Sequence, residues 1–450
     1  MSKRRVRRPP PQNLRDLPLR TLAIESLDSE GRGVARDEGK VVFVEGALTG
    51  ETVEARTIRT GSSFDQAETF RVLHSSSGRR EPPCPHFRNC GGCATQHADQ
   101  RTEMAAKQRS LEDSLQRIGK VQAESLLPII YGAEWGYRHR ARLAVRGLPL
   151  PRGALVGFHE RKSSYVADMR DCANLPPHIS DLITPLRELV TGLDMRERMP
   201  QVEIAVGDKV DVLVFRNLDP VTEADQEKLR AFADRHRVSL WLQPKGPDTA
   251  APFHPPEMPD LDYVLPEFGL RIAFRPTDFT QVNHGVNRIL VGRAVQLLEP
   301  RPGDRIADLF CGLGNFSLPL AAAGATVHGI EGAEELVERA RQNAAANGLS
   351  SRATFEAANL FEVDEAWLAA RGPFDKLLID PPRSGAAEVV KALPDAWPRR
   401  IVYVSCDSAT FARDAGILVS TRGFRLVSAG VVNMFPHTAH VESIALFERG

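Results

Sequence analysis

The rhythm of hydrophobic and polar positions changes twice along the chain. Short alternating runs come first, at Thr21–Ile24, Val41–Val44 and Thr52–Ala55, separated by turns that carry Gly31, Gly33, Gly46 and Gly50. Alternation over four or five residues with glycine turns between predicts a small β-barrel over 17–79. A polar stretch over 76–83 leads into a cluster of cysteines. Strand-like runs continue through a β-rich central region, 80–275, at Arg140–Val145, Gln201–Val206, Lys209–Phe215, Ser239–Leu242 and Leu270–Phe274. A helix is predicted there over Ile179–Thr191 and a proline-rich loop over Pro244–Asp260. From about 285 strands alternate with helices, which predicts a doubly wound, parallel α/β sheet over 276–450. Its strands are Arg305–Phe310, Thr326–Ile330, Ala353–Ala357, Phe374–Ile379 and Ile401–Val404, with a last one starting within Ala439–Ser443.

Composition narrows the class. With 450 residues, 42% hydrophobic and 26% charged, the chain has enough apolar surface for two to four globular domains and is not a largely disordered polymer. No apolar run reaches the roughly 18–20 residues that cross a bilayer. The basic N-terminus is not followed by an apolar segment, so no secretory signal is expected and the location expected is the cytoplasm. Net charge is zero, 58 basic residues against 58 acidic ones, but Lys3, Arg4, Arg5, Arg7, Arg8, Arg15 and Arg20 face only Asp16 near the start. Residues 1–16 read as a disordered basic tail, a solvated segment that can also touch phosphates. Six cysteines are too few for a disulfide scaffold. Cys84, Cys90 and Cys93 fall together, and with the distant Cys172 they supply four thiols, suited either to a [4Fe–4S] cluster or to zinc.

The α/β half carries the chemistry. Arg305–Phe310 runs into Cys311-Gly312-Leu313-Gly314-Asn315 and a helical pattern through Ala323. Glycines between a strand and a helix let a ligand approach the backbone. The second strand ends at Glu331, 23 residues after Asp308, where a carboxylate can accept hydrogen bonds from ribose hydroxyls. The third leads to Asn359 and the fourth to Asp380-Pro381-Pro382-Arg383. Each alone is an ordinary loop residue; at successive carboxyl ends of parallel strands they make a nucleoside site. Phe316-Ser317 supplies no third glycine for a dinucleotide motif, and the segment DLFCGLGNF between strand and helix instead resembles motif I of S-adenosylmethionine-dependent methyltransferases. The fifth strand brings Ser405-Cys406-Asp407 to the same rim, and Glu442 follows in HVESI.

A thiol and a carboxylate beside a methyl donor suit methylation of uracil at C5. That carbon is too weak a nucleophile unaided; a thiolate added at C6 makes the ring an enolate, C5 takes the methyl group, and a base removes the C5 proton. Cys406 fits the nucleophile and Glu442 the base, although a cysteine after a strand is often a small buried hydrophobe. Cys311 lies inside the glycine loop, where the amino-acid part of the methyl donor belongs. The helix over Ala409–Asp414 is expected to lower the Cys406 pKa through its N-terminus. Arg383 stands where enzymes that methylate exocyclic amines tend to carry an aromatic residue.

These pieces, with Phe279-Thr280-Gln281-Val282-Asn283, IDPPRSG at 379–385 and SCDSATFARD at 405–414, resemble the uracil-C5 RNA methyltransferases. The resemblance implies a Rossmann-like S-adenosylmethionine-dependent domain over 276–450, with Gln281, Phe310, Asn315, Glu331, Asn359 and Asp380 on S-adenosylmethionine, Cys406 as nucleophile and Glu442 as base. The barrel resembles a TRAM RNA-binding domain. The cysteine spacing matches the ribosomal branch of the family, which implies a structural [4Fe–4S] cluster on Cys84, Cys90, Cys93 and Cys172 and a uridine of 23S ribosomal RNA as substrate. The family usually shows Ser-Cys-Asn-Pro at the nucleophile; here Asp407-Ser408 follows Cys406, and the added charge is expected to raise the thiol pKa. Two other classes fit less well: a silent RNA-binding assembly factor, which has no use for a complete Cys406/Glu442 pair, and an iron–sulfur radical enzyme, which needs a C-x3-C-x2-C triad.

Overall fold

The computed structural model describes residues 18–449, so the basic tail expected over 1–16 lies outside the described residues. Two compact units divide the chain. One holds the residues up to Pro83 with Cys93–Ala106 and His437–Ala439; the other holds Cys84–Gly92, Lys107–Pro436 and His440 onward.

In the first unit, strands β1 (Arg20–Ala23), β2 (Ser26–Leu27), β3 (Gly33–Asp37), β4 (Lys40–Glu45), β5 (Thr52–Thr60) and β6 (Phe64–His74) form a sheet in the order β1-β5-β6-β4-β3-β2. The end strands β1 and β2 are halves of one bent segment, the first paired with β5 and the second with β3, so the sheet closes on itself. Val53 and Ala55 alternate inward against Leu22, Ala35, Val42 and Val44, the period-two burial that the alternating runs predict. The polar stretch at 76–83 is more than a linker. Arg79 donates to the buried Glu51 carboxylate and to the Gly46 carbonyl, pinning the segment to the barrel.

The second unit contains two sheets and a hairpin. A short strand β7 (Ser125–Leu126) and a longer one, β8 (Arg140–Gly147), follow helix α1 (Gln100–Ser114). The central sheet adds β9 (Ala154–Gly157), β10 (Gln201–Val206), β11 (Asp211–Arg216), β12 (Ser239–Gln243) and β13 (Ala251–His254), in the order β13-β12-β11-β10-β8-β9. The helix expected over 179–191 is two helices, α2 (Pro177–Ser180) and α3 (Ile183–Gly192), and α4 (Glu223–His236) makes the crossover between the parallel strands β11 and β12. The proline-rich loop over Pro244–Asp260 is overturned in part. It contains β13, an edge strand that tolerates Pro252 because an edge leaves one row of N–H groups unpaired.

A hairpin, β14 (Asp262–Leu265) and β15 (Leu270–Ala273), precedes α5 (His284–Leu298). Then come β16 (Arg305–Leu309), α6 (Ser317–Ala322), β17 (Thr326–Glu331), α7 (Glu334–Ala346), β18 (Ala353–Ala357), α8 (Glu365–Ala369), β19 (Lys376–Ile379), α9 (Ala387–Lys391), β20 (Arg400–Ser405), α10 (Ser408–Ser420), β21 (Arg425–Val432) and β22 (Glu442–Glu448). The eight strands run β18-β17-β16-β19-β20-β22-β21-β7.

The expectation of a wholly parallel sheet does not hold. β22 is antiparallel to both β20 and β21. No helix lies between β21 and β22, and a return without a crossover permits only antiparallel pairing. The packing also extends past residue 276. Tyr263 and Ile272 share a core with Val286 and Leu290 of α5. Leu111 and Leu115 share another with Tyr403, Phe411 and Leu418, while β7 adds the eighth strand. The segment after α1 lies close against α10: a Cβ on Gly416 would sit 2.8 Å from the Gly119 carbonyl oxygen.

Candidate active site

The glycine loop is shaped by backbone that side chains tolerate poorly. Phe310 and Gly314 have φ of +65° and +92°. At Gly314 a Cβ would lie 3.2 Å from Leu318, so a glycine lets α6 start tight against the loop. Phe310 and Cys311 both donate their N–H groups to the Ile330 carbonyl, and the Phe310 ring lies 5.6 Å from that of Phe361. Glu331, at the end of β17, accepts from the N–H groups of Gly312 (3.0 Å), Gly332 (2.7 Å) and Ala333 (3.1 Å), joining the loop to the start of α7. Beneath the loop, Asp308 accepts from the Ser317 hydroxyl. Burial, with Asp380 and Glu331 adding, pushes this carboxyl up to about 7.

Asn315 is already committed within the protein. Its Oδ1 accepts from the Tyr263 hydroxyl (2.8 Å) and from Asn287 (2.9 Å), and its amide donates to Asn287 Oδ1 (2.9 Å). Asn287 and Tyr263 lie outside the motif, and sequence reasoning missed both; an asparagine on the buried face of α5 was the available signal. Gln281 is half-buried in the loop that Asn283 ends by capping α5, and Asn359 accepts from the Phe361 N–H (3.1 Å).

The thiol and the carboxylate meet at the end of one ladder. Ser405 of β20 pairs with Ser443 of β22, so Cys406 and Glu442 hold the next opposed positions, and the two groups act on each other electrostatically. Asp380 stands beside them at the end of β19. Glu442 is 5% exposed and its Oε2 is buried without a hydrogen-bond partner. Burial first, then Asp380, holds this carboxyl well above the usual range, while the Lys107 charge acts the other way. Burial likewise pushes Asp380 up to about 7.

The expected lowering of the Cys406 pKa is overturned. Burial, then Glu442 and Asp380, pushes the thiol up to about 11, with Arg383 the opposing charge. The N-terminus of α10 gives little help because Asp407 caps it: Oδ1 accepts from Ala409 N–H (3.0 Å) and Thr410 N–H (2.9 Å). The charge at 407 is thus directed into the helix. Asp and Asn cap about equally well, so Asp407→Asn should leave the melting temperature and activity nearly unchanged, whereas Asp407→Ala should cost about 1 kcal/mol in urea unfolding.

Lys107 is the charged group that sequence reasoning did not place at this site. Arg383 approaches His440 Nδ1 (3.4 Å), and its carbonyl accepts from the Thr410 hydroxyl (3.0 Å). Arg413 and Asp414 of the same helix hold the Ser384 carbonyl and the Ala386 N–H.

Of the four expected cluster cysteines, Cys90 and Cys172 are buried in one apolar core and Cys84 is half-buried. Burial, with Cys84 adding, raises the Cys90 thiol, and the Gly92 N–H donates to its Sγ (3.3 Å). His86 accepts from the Arg170 N–H (3.4 Å), so the loop carrying Cys84 and Cys90 runs beside the one carrying Cys172. Cys93 belongs to the other compact unit. Among the described residues, no group of three or more His, Cys, Asp or Glu side chains is arranged to hold a metal ion.

Comparison with known proteins gives consistent matches. Residues 264–450 match a family described as tRNA (Uracil-5-)-methyltransferase, and residues 20–62 match the TRAM domain. A protein of Dechloromonas aromatica named 23S rRNA (uracil(1939)-C(5))-methyltransferase RlmD is 59% identical, covering 94% of this chain and 98% of its own. A protein of the same name from Nitrosospira multiformis is also 59% identical, over 95% of this chain and 98% of its own. The crystal structure of Pyrococcus abyssi tRNA (uracil-54, C5)-methyltransferase, in complex with S-adenosyl-L-homocysteine, shares the fold with a TM-score of 0.73 at 24% identity, over 95% of this chain and 99% of that one.

Proposed function

We infer the reaction from one premise: the chain belongs to the uracil-C5 RNA methyltransferase family. It transfers a methyl group from S-adenosylmethionine to C5 of a uridine in 23S ribosomal RNA, and the TRAM barrel binds RNA. The observation that carries the reading is 59% identity over nearly the whole chain to relatives named 23S rRNA (uracil(1939)-C(5))-methyltransferase, in a chain whose Cys406 and Glu442 hold opposed positions at the end of β20 and β22.

Cys406, as thiolate, adds to C6 of the uracil; C5 then attacks the methyl sulfonium, and the Glu442 carboxylate takes the C5 proton as the C6–S bond breaks. Extruding the base costs a few kcal/mol, less in a loop or bulge. Glu331 holds the ribose of the methyl donor, Asp380 lies near its reacting methyl group, and Gln281, Phe310 and Asn359 contact it. Asn315 acts on the methyl donor chiefly through the glycine loop that Tyr263 and Asn287 fix. The test is single-turnover methylation of rRNA tritiated at uracil C5. Methyl incorporation should match tritium release one to one; a methyl group found without tritium release overturns C5 as the acceptor.

The cysteines are read as a structural staple: a [4Fe–4S] cluster on Cys84, Cys90, Cys93 and Cys172. Support comes from the donor set and from the N–H bond to Cys90 Sγ, a contact that stabilises thiolate ligands. Protein purified without oxygen should carry about four iron and four sulfide per chain; zinc instead, or neither, removes the cluster.

A further inference from the structure

Lys107 points into the second unit from α1, only 3% exposed, at four-residue spacing from the buried Leu111 and Leu115. Its Nζ donates to Asn433 Oδ1 (2.7 Å) and to the Phe435 carbonyl (2.9 Å). Both acceptors lie on the segment leaving β21. Asn433 directly follows Val432, the register partner of Glu442. The segment is fixed further along by Tyr137, whose hydroxyl donates to the Pro436 carbonyl (2.9 Å), and by Asn433 N–H on the Ile130 carbonyl (2.7 Å). An ammonium group is therefore anchored one residue beyond the strand partner of a carboxylate that is itself buried, with one oxygen unpartnered.

We propose that Lys107 is a positioning residue for proton abstraction, its anchored ammonium drawing Glu442 toward the ionised form that accepts the C5 proton. The inference rests on Glu442 being the base. In that step the carboxylate bonds the C5 proton, the C5–H electron pair restores the C5–C6 double bond, and the C6–S pair leaves with Cys406 as thiolate. A base held protonated cannot do this, and burial and Asp380 both favour the protonated form. Cys406 faces Glu442 across the ladder and adds negative charge when ionised. His440, two residues before, is held below the usual imidazole range by burial and by Arg383, Lys107 and Arg138. Lys107 is the cation that acts on Glu442 in the ionising direction.

Single-turnover tritium release from C5 and covalently trapped RNA are measured together for the wild type, K107M, K107R and E442Q, over about pH 6 to 10. In K107M, release at neutral pH should slow about tenfold, its midpoint should rise by about one pH unit, and RNA should accumulate on Cys406. K107R, which keeps the charge, should restore the midpoint. The inference fails if K107M keeps the wild-type midpoint without trapped RNA, or if K107M and K107R behave alike. If K107M does not fold, Asn433→Ser loosens one anchor and should shift the midpoint the same way by less; no shift there also overturns it. E442Q separates the two levels. If it traps RNA while K107M does not, only the role of Lys107 is lost; if E442Q itself releases tritium normally, the base assignment is lost first.

Discussion

Cys406→Ala is expected to abolish methylation of 23S rRNA, by about 10⁴-fold or more in kcat, while S-adenosylmethionine binding changes less than about twofold. The split follows from where the sulfur sits. It stands on the ladder end facing Glu442, whereas the glycine loop is built on β16, β17 and α6 and does not use it. With rRNA carrying 5-fluorouridine, the wild type should form a stable protein–RNA cross-link, because fluorine cannot leave as a proton; the Cys406→Ala protein should form none. A cross-link that survives the substitution would move the nucleophile elsewhere, Cys311 first. The reaction should also respond to pH with a definite sign. In the free enzyme the thiol is pushed up to about 11. Alkylation of Cys406 by iodoacetamide should therefore rise with pH, about tenfold per unit through the neutral range, since only the thiolate reacts. A plateau near pH 7 would show a thiol already ionised.

The strands that carry the site were legible because parallel strands buried on both faces are continuous apolar runs, and β16, β17, β18, β19 and β20 begin and end within about two residues of those runs. What the runs could not reveal was direction. β21 (Arg425–Val432) was not read as a strand and β22 read as more of the same pattern, yet their antiparallel return is what sets Glu442 opposite Cys406. Charge was the least legible property. Asp407 beside the nucleophile suggests a higher thiol pKa from sequence alone, but its side chain turns into α10 as a cap. The rise in the thiol pKa comes from burial and from two carboxylates brought in by other strands. Lys107 was illegible for a different reason: its partner Asn433 is 326 residues away, and a lysine among Gln, Arg and Glu in a helix looks solvent-facing until the apolar stripe around it is seen.

Glu442→Gln should stall the enzyme after methyl transfer, leaving RNA bound to Cys406 and slowing C5 proton release by about 10²–10⁴-fold, the usual size of a general-base contribution. The methyl group should still be transferred in a first turnover, since that step needs the enolate and not the base. The charges around the pair give the order of events a physical basis. Before RNA binds, an ionised Glu442 raises the Cys406 thiol, so thiolate and carboxylate are disfavoured together, as in any close pair of acids. Once sulfur is bonded to C6 it is a neutral thioether, and that repulsion ends. The carboxylate then ionises more easily, at the stage when a proton must be taken from C5. Glutamine cannot accept that proton, but it also removes the negative charge that holds the thiol protonated. Glu442→Gln should therefore form the covalent adduct at a lower pH than the wild type does, even as it fails to resolve it. Denaturing gels of first-turnover mixtures across the pH range test both parts. An adduct that forms with the wild-type pH dependence would separate the two groups electrostatically, and one that resolves at the wild-type rate would assign the proton to another base.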